Sequence, residues 1–270
     1  MTEGFLAEIV REVRQEIRRD DYLSSLPPPS FEPRPSLRTA VESARGVGGL
    51  LVEYKRVSPG QTNPTLPVRS IEEFARTTEV PGVLGYSCLA TRPRFDGAPT
   101  DVAELVRRTP KPVLFKDFVI DPIQLDAAVT VGASAVLLIA RLEPAGLLDR
   151  PLADLVRASH ERGLEVLLEL HDPHEIAHAG DLPADLYGVN ARDLDSLSVD
   201  RTTAEAALEA AWSRGLAPLV GLSGVERPAD ARRYFDSGAD AVLVGTAVAR
   251  ADDPAAFLRS LVERPTQGTP

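Results

Sequence analysis

The stretch GVGGLLVEYKRVSPG, residues 46–60, decides the fold. It places the chain's glycine cluster before a short apolar strand that ends in Glu53, Tyr54, Lys55 and Arg56. An open, doubly wound sheet that binds a dinucleotide carries its glycines after the first strand, where a helix N-terminus meets the pyrophosphate. Here the order is reversed, so the stretch fails that test. A closed (β/α)8 barrel is the fold it leaves.

The rest of the chain has the rhythm of such a barrel. Apolar runs of strand character fall at residues 50–54, 83–87, 113–116, 135–139, 165–169, 186–190, 218–222 and 241–244. Helix-patterned segments lie between them, among them DVAELVRR, LADLVRASHERG, TTAEAALEAAWSRG and PADARRYFDSG. Three of these end in a glycine where a C-terminal cap belongs: Gly163, Gly215 and Gly238. Eight strands alternating with helices predict an α/β TIM barrel over residues 1–270 as one domain.

Before the barrel, Phe5, Leu6, Ile9, Val10, Val13 and Ile17 recur at helical spacing. Five prolines between Pro27 and Pro35 then exclude regular structure. Residues 1–48 therefore read as a helical and proline-rich extension packed on the barrel.

The composition limits the function classes. A formal net charge of −10 argues against nucleic-acid binding, which needs a basic footprint. It leaves room for a small anionic ligand held by local donors. No apolar run approaches the roughly 20 residues of a membrane span, and the first helix lacks the apolar block of a signal peptide. Cys88 is the single cysteine, which fits a reducing cytoplasm.

Barrel sites are built at the C-terminal strand ends. In this chain those ends carry Glu53 and Lys55, Ser87, Lys116 with Asp117, Glu169, and Asn190 with Arg192. Glu53 and Lys55 are two apart on one strand, so they face the same way. Only three of the 30 basic residues are lysines (Lys55, Lys111 and Lys116), and two of the three sit at these ends. A lysine can shift its pKa and give up a proton where an arginine cannot. Lysines and carboxylates converging on one mouth suit general acid–base chemistry. Strands 7 and 8 lead into Ser223–Gly224 and Gly245–Thr246, the place where barrels commonly cradle a phosphate.

Other features receive plainer readings. His171, His174 and His178 have tempting spacings, but no convergent ligand set is expected of them, and no metal or other cofactor is predicted. Cys88 reads as a small apolar residue. Trp212 is expected to pack between helix and barrel, and Lys111 to be a solvated charge at the far end.

The motifs VEYKRVSP, PVLFKDFVID, AVLLI, VLLELHD, YGVNARDL, LSG and AVLVGTAV, in that order, resemble the indole-3-glycerol phosphate synthase family of tryptophan biosynthesis. SCLATRPRFDG resembles its second βα loop, with Phe95 and Gly97 in register. The resemblance implies a lyase that closes the indole ring of 1-(2-carboxyphenylamino)-1-deoxyribulose 5-phosphate with loss of carbon dioxide and water. It implies Lys116 as general acid, Glu169 as its acid/base counterpart, and Lys55 as the cation facing the substrate carboxylate. Glu53 would orient the lysines and Asn190 fix the reacting groups. Ser223, Gly224, Gly245 and Thr246 would hold the phosphate, with Ser58 and Arg192 near it, and Phe95 and Phe118 would wall the aromatic ring.

The chain departs from the family pattern at Leu222, where a glutamate is usual, at Gly60 in place of a serine, and at Ala90 in place of a threonine. Two other functions remain open at this level. One is a Schiff-base aldolase using Lys116 or Lys55; the other is an inactive phosphate-binding or partner-regulating barrel. The expected partner is a phosphorylated small molecule, with no nucleic acid and no membrane, acting on a monomer or weak homo-oligomer.

Overall fold

The computed structural model describes residues 4–28, 34–67, 69–179 and 182–263, with the side chains of residues 178 and 179 left aside. Part of the proline-rich segment, including Pro29 and Pro33, lies outside the described residues.

Two helices come first, α1 (Phe5–Ile17) and α2 (Leu37–Glu42). Eight strands follow: β1 (Gly49–Tyr54), β2 (Val83–Leu89), β3 (Val113–Lys116), β4 (Ala135–Ile139), β5 (Glu165–Leu170), β6 (Leu186–Asn190), β7 (Leu219–Leu222) and β8 (Ala241–Val244). All pair in parallel, in chain order, and β8 closes onto β1. The helices between strands are α3 (Ile71–Thr78), α4 (Pro99–Arg108), α5 (Pro122–Thr130), α6 (Leu152–Glu161), α7 (Pro173–Ala179), α8 (Arg201–Ser213) and α9 (Pro228–Asp236). The short α10 (Thr246–Arg250) and then α11 (Pro254–Val262) follow β8. This is the predicted barrel, and β2 runs two residues beyond its expected end.

Local chemistry sets the helix starts. Asp121 caps α5 in a reciprocal box with Gln124, and Pro122 takes the first helical position, where its missing N–H is no loss. Asp200, Asp253, Ser36 and Ser70 cap their helices through side-chain oxygens. Gly163, Gly215 and Gly238 follow α6, α8 and α9 with positive φ, as the sequence predicts.

The two N-terminal helices take opposite ends of the barrel. Helix α1 lies over the mouth and bonds to loops that follow strands. Leu6 N–H donates to Asp195 after β6, Arg14 bonds Asp149 and the Leu147 carbonyl after β4, and Arg94 after β2 reaches Glu8 and Glu12. Its buried stripe is Leu6, Ile9, Val10, Val13 and Ile17. Helix α2 sits at the strand starts, where the backbone N–H groups of Leu37 and Arg38 donate to Glu165 at the head of β5. Leu37 itself is fully buried, and an apolar side chain so placed stabilises the fold by about 1.5–3 kcal/mol.

Two expectations for the outer face need correction. Trp212 is 55% exposed, because the buried stripe of α8 is Ala204, Ala207, Leu208 and Ala211, and the next residue turns outward. Lys111 is paired with Glu79 at 2.6 Å and is not simply solvated.

Candidate active site

Parallel pairing brings the strand ends level, so side chains far apart in sequence meet at one height. Glu53 is in register with Ser87, Leu89 with Lys116, Ile139 with Glu169, and Asn190 with Leu222. All thirteen residues expected to form the site line a single cleft at the barrel mouth: Glu53, Lys55, Ser58, Phe95, Lys116, Phe118, Glu169, Asn190, Arg192, Ser223, Gly224, Gly245 and Thr246. Ser87 does not; its hydroxyl is buried without a hydrogen-bond partner. Asp117 reaches the cleft wall, but its oxygens are taken by Thr91, Gln124 and the Phe118 N–H, so it holds the turn after β3.

Glu53 is the centre of the charge arrangement. It is 2% exposed, and each of its oxygens accepts from one lysine: Lys55 Nζ at 2.5 Å and Lys116 Nζ at 2.7 Å. Burial alone would raise its pKa, but the ammonium groups of Lys116 and Lys55 outweigh burial and hold the carboxyl well below the usual range. The two lysines then part company. Burial draws Lys55 below the ordinary lysine value, only partly offset by Glu53. Lys116 feels the same burial, but Glu53 and Glu169 together more than restore it, so its pKa is raised.

Across the mouth, Asn190 links two strand ends. Its Nδ2 donates to Glu169 Oε1 at 3.0 Å, and its Oδ1 accepts from the Arg192 N–H at 2.9 Å. Arg192 extends to the carbonyl of Leu197. Phe95 and Phe118 stand with ring centroids 6.0 Å apart, giving one side of the cleft an aromatic wall.

The opposite side is polar and tight. Ser223 and Gly224 take positive φ in succession. Ser58 and Thr246 hydroxyls lie 3.2 Å apart. Gly245 admits no side chain, since a Cβ there would stand 2.8 Å from Glu53 Oε1 and 3.2 Å from Lys55 Cε. Backbone N–H groups and hydroxyls at this corner suit an oxyanion.

The three departures from the family pattern have distinct settings. Leu222 is 1% exposed and fills the space over Gly188, where an added Cβ would meet Leu222 Cδ1 at 2.7 Å. It does not line the cleft. Gly60, with φ of 81°, lies against Leu197 of the loop after β6, so the loops after the first and sixth strands touch across the mouth. Ala90 is buried, and its N–H pairs with the Lys116 carbonyl.

The sequence reading missed part of the lining. Phe5, Leu137, Ile139, Leu194, Leu197, Val225 and Glu226 also face the cleft. Leu137 and Ile139 follow from alternation along β4. Phe5 carries no local signal, because only the docking of α1 brings it over the mouth.

No group of three or more His, Cys, Asp or Glu side chains able to hold a metal occurs among the described residues. His178 is outside those whose side chains are described.

The chain is also similar to known proteins. The family model described as indole-3-glycerol phosphate synthase matches residues 6–261. A protein of that name from Methanopyrus kandleri is 37% identical over 261 residues, covering 96% of both chains. The Halobacterium salinarum protein of that name is 40% identical over 216 residues, 79% of this chain and 81% of the relative. Among solved structures, a 3-hexulose-6-phosphate synthase superposes with a TM-score of 0.61 at 19% identity, covering 79% of this chain and 98% of that one. An N-acetylmannosamine-6-phosphate 2-epimerase from Clostridium perfringens gives 0.60 at 17% identity, covering 81% of this chain and 93% of that one. At those identities the structural likeness shows the barrel alone.

Proposed function

The chain belongs to the indole-3-glycerol phosphate synthase family, and from that premise we propose how its own residues divide the family's chemistry. It is a decarboxylating lyase of tryptophan biosynthesis, acting on a phosphorylated small molecule. We take the substrate to be 1-(2-carboxyphenylamino)-1-deoxyribulose 5-phosphate.

The phosphate sits in the corner made by Ser223–Gly224 and Gly245–Thr246, with Ser58 and Arg192 beside it. The aromatic ring lies against Phe95 and Phe118, and the substrate carboxylate faces Lys55. Lys116 gives its proton to the ketone oxygen as the ring carbon attacks. A cation next to the departing carboxylate and a donor at the developing alkoxide lower the barrier where charge moves. Carbon dioxide then leaves and the ring electrons are restored. Glu169, steered by Asn190, exchanges the proton needed for loss of water.

The observation that carries this reading is the division of Glu53 between two lysines. It explains how one buried carboxylate keeps two cations side by side, each directed to a different part of the substrate. It also weighs against an aldolase that would use Lys116, because a nucleophilic amine must be unprotonated and Lys116 is held in its charged form.

Among the described residues no helix is long and apolar enough to cross a membrane. We further propose a cytoplasmic enzyme, a monomer or weak homo-oligomer, whose residues 1–48 fold with the barrel as one domain. The deciding experiment follows indole fluorescence on addition of the carboxyphenylamino-deoxyribulose phosphate. Well-folded protein that forms no indole product overturns the assignment.

A further inference from the structure

His171 follows β5 two residues after Glu169 and is 4% exposed. It does not line the cleft, yet its ring stands directly behind Glu169. His171 Nε2 lies 3.4 Å from Glu169 Oε1 and has no hydrogen-bond partner. A buried imidazole nitrogen without a partner is costly, so its retention beside an acid–base carboxylate asks for a chemical reason.

The other side of the ring is well anchored. Glu175 Oε2 accepts from the His171 backbone N–H at 2.8 Å and stands 3.1 Å from Nδ1. Burial would raise the Glu175 pKa, but His171 and Arg141 outweigh it and keep the carboxyl ionised. A carboxylate only accepts, so Nδ1 carries a hydrogen toward Glu175, and Nε2 is the ring atom that faces Glu169. Arg141, from the turn after β4, holds Glu175 at 2.6 Å and spans to Asp193 and Asp172. The charged groups around the ring are therefore Glu169 on β5, Glu175 on α7, Asp172 beside α7, and Arg141 with Asp193 behind them. Lys116 faces Glu169 from β3.

We propose that His171 is a positioning residue that takes up and returns the proton Glu169 exchanges with the substrate. When Glu169 has gained a proton, its O–H bond breaks and an Nε2–H bond forms. The imidazolium then lies between the carboxylates of Glu169 and Glu175. The reverse transfer restores the neutral ring, and the pair's total charge and electron count are unchanged throughout. Asn190 keeps Glu169 Oε1 within reach of the ring. This inference rests on the catalytic role proposed above for Glu169.

The test combines kinetics with a measurement on the substrate-free enzyme. His171→Gln is expected to lower kcat by about 100-fold, the scale of a lost proton-transfer partner, with KM within about twofold. Its kcat–pH profile is expected to differ in shape from that of the wild type. Glu175→Gln leaves the ring in place but removes its anchor, and is expected to change that profile too. Unchanged kcat and pH profile in His171→Gln, or a raised KM with kcat intact, overturns the proposal. Should His171→Gln fail to fold, nitrogen-15 NMR of the wild-type ring decides. A His171 Nε2 resonance and titration that change in Glu169→Gln support the link, and insensitivity to that substitution overturns it. Full activity of Glu169→Gln sinks the role of Glu169 itself, whatever the NMR shows, so the two failures are separable.

Discussion

Lys116 Nζ and Glu53 Oε2 meet at 2.7 Å across 63 residues of sequence, inside a mouth where Glu53 has almost no exposure to solvent. The contact fixes the direction of the proposed acid and keeps it charged. Lys116→Met removes the proton without removing the apolar stem. Turnover is expected to fall at least about 100-fold, with phosphate binding largely kept. Steady-state kinetics beside a titration with inorganic phosphate checks both halves, and wild-type kcat in the variant refutes the role.

Glu53→Gln leaves two largely buried ammonium groups with no carboxylate between them. Breaking such an arrangement from one side costs about 3–5 kcal/mol, read as a lower urea midpoint at neutral pH. The sign of the pH effect follows from the lowered pKa. Glu53 is held at about 2 against an ordinary 4.5, so its stabilisation is fully present above 4.5. It is lost as pH falls through that interval, where the unfolded chain binds more protons. Urea melts between those limits should lose stability more steeply in the wild type than in Glu53→Gln; parallel curves contradict the assignment.

Lys55 and Lys116 are predicted to fail at different pH. Lys55 is drawn below 10.5 by burial, whereas Lys116 ends above it. On the alkaline side KM should therefore rise before kcat falls, since Lys55 faces the substrate carboxylate. Lys55→Arg stays charged at any such pH and should abolish the rise. A fall in kcat at constant KM would show that the two roles are exchanged.

Gly60→Ser would restore the family's usual residue, yet it is expected to harm this protein. Its backbone has φ of 81°, and a Cβ would stand 2.6 Å from that of Leu197. Strain of this kind costs about 1–3 kcal/mol, and the contact between the two loops would have to open. A lower Tm with a raised KM is the expected pair of results. Unchanged values for both would mean that the loops do not meet as described.

Phe5→Ala tests whether α1 contributes to the site or only covers it. Losing an apolar side chain from the cleft lining is expected to raise KM about tenfold, equivalent to about 1.4 kcal/mol of binding. Global stability should change little, because Phe5 is only partly buried. A stability loss with KM unchanged would confine Phe5 to packing.

How much of this was legible in the sequence differs residue by residue. The spacing of two on the first strand put Glu53 and Lys55 on one face, and the strand ends named Lys116, Glu169 and Asn190. For His171 the sequence offers only a ligand-like spacing, because a local pattern cannot show that a ring is buried behind a carboxylate. Trp212 reads as a packing residue by its type, and the docking of α8 through Ala204, Ala207, Leu208 and Ala211 leaves it outward.

By itself, then, the sequence determined what depends on short-range order: strand alternation, helix phase, caps, and which polar groups stand at strand ends. Those follow from backbone geometry with periods of a few residues. Only the tertiary structure decided what depends on closure. The barrel's registers set Glu53 between two lysines from different strands. The docking of α1 brought Phe5 to the mouth, and the meeting of two loops gave Gly60 its neighbour in Leu197. The Glu53–Lys116 and Gly60–Leu197 contacts join residues more than 60 positions apart, which no period of a few residues can encode.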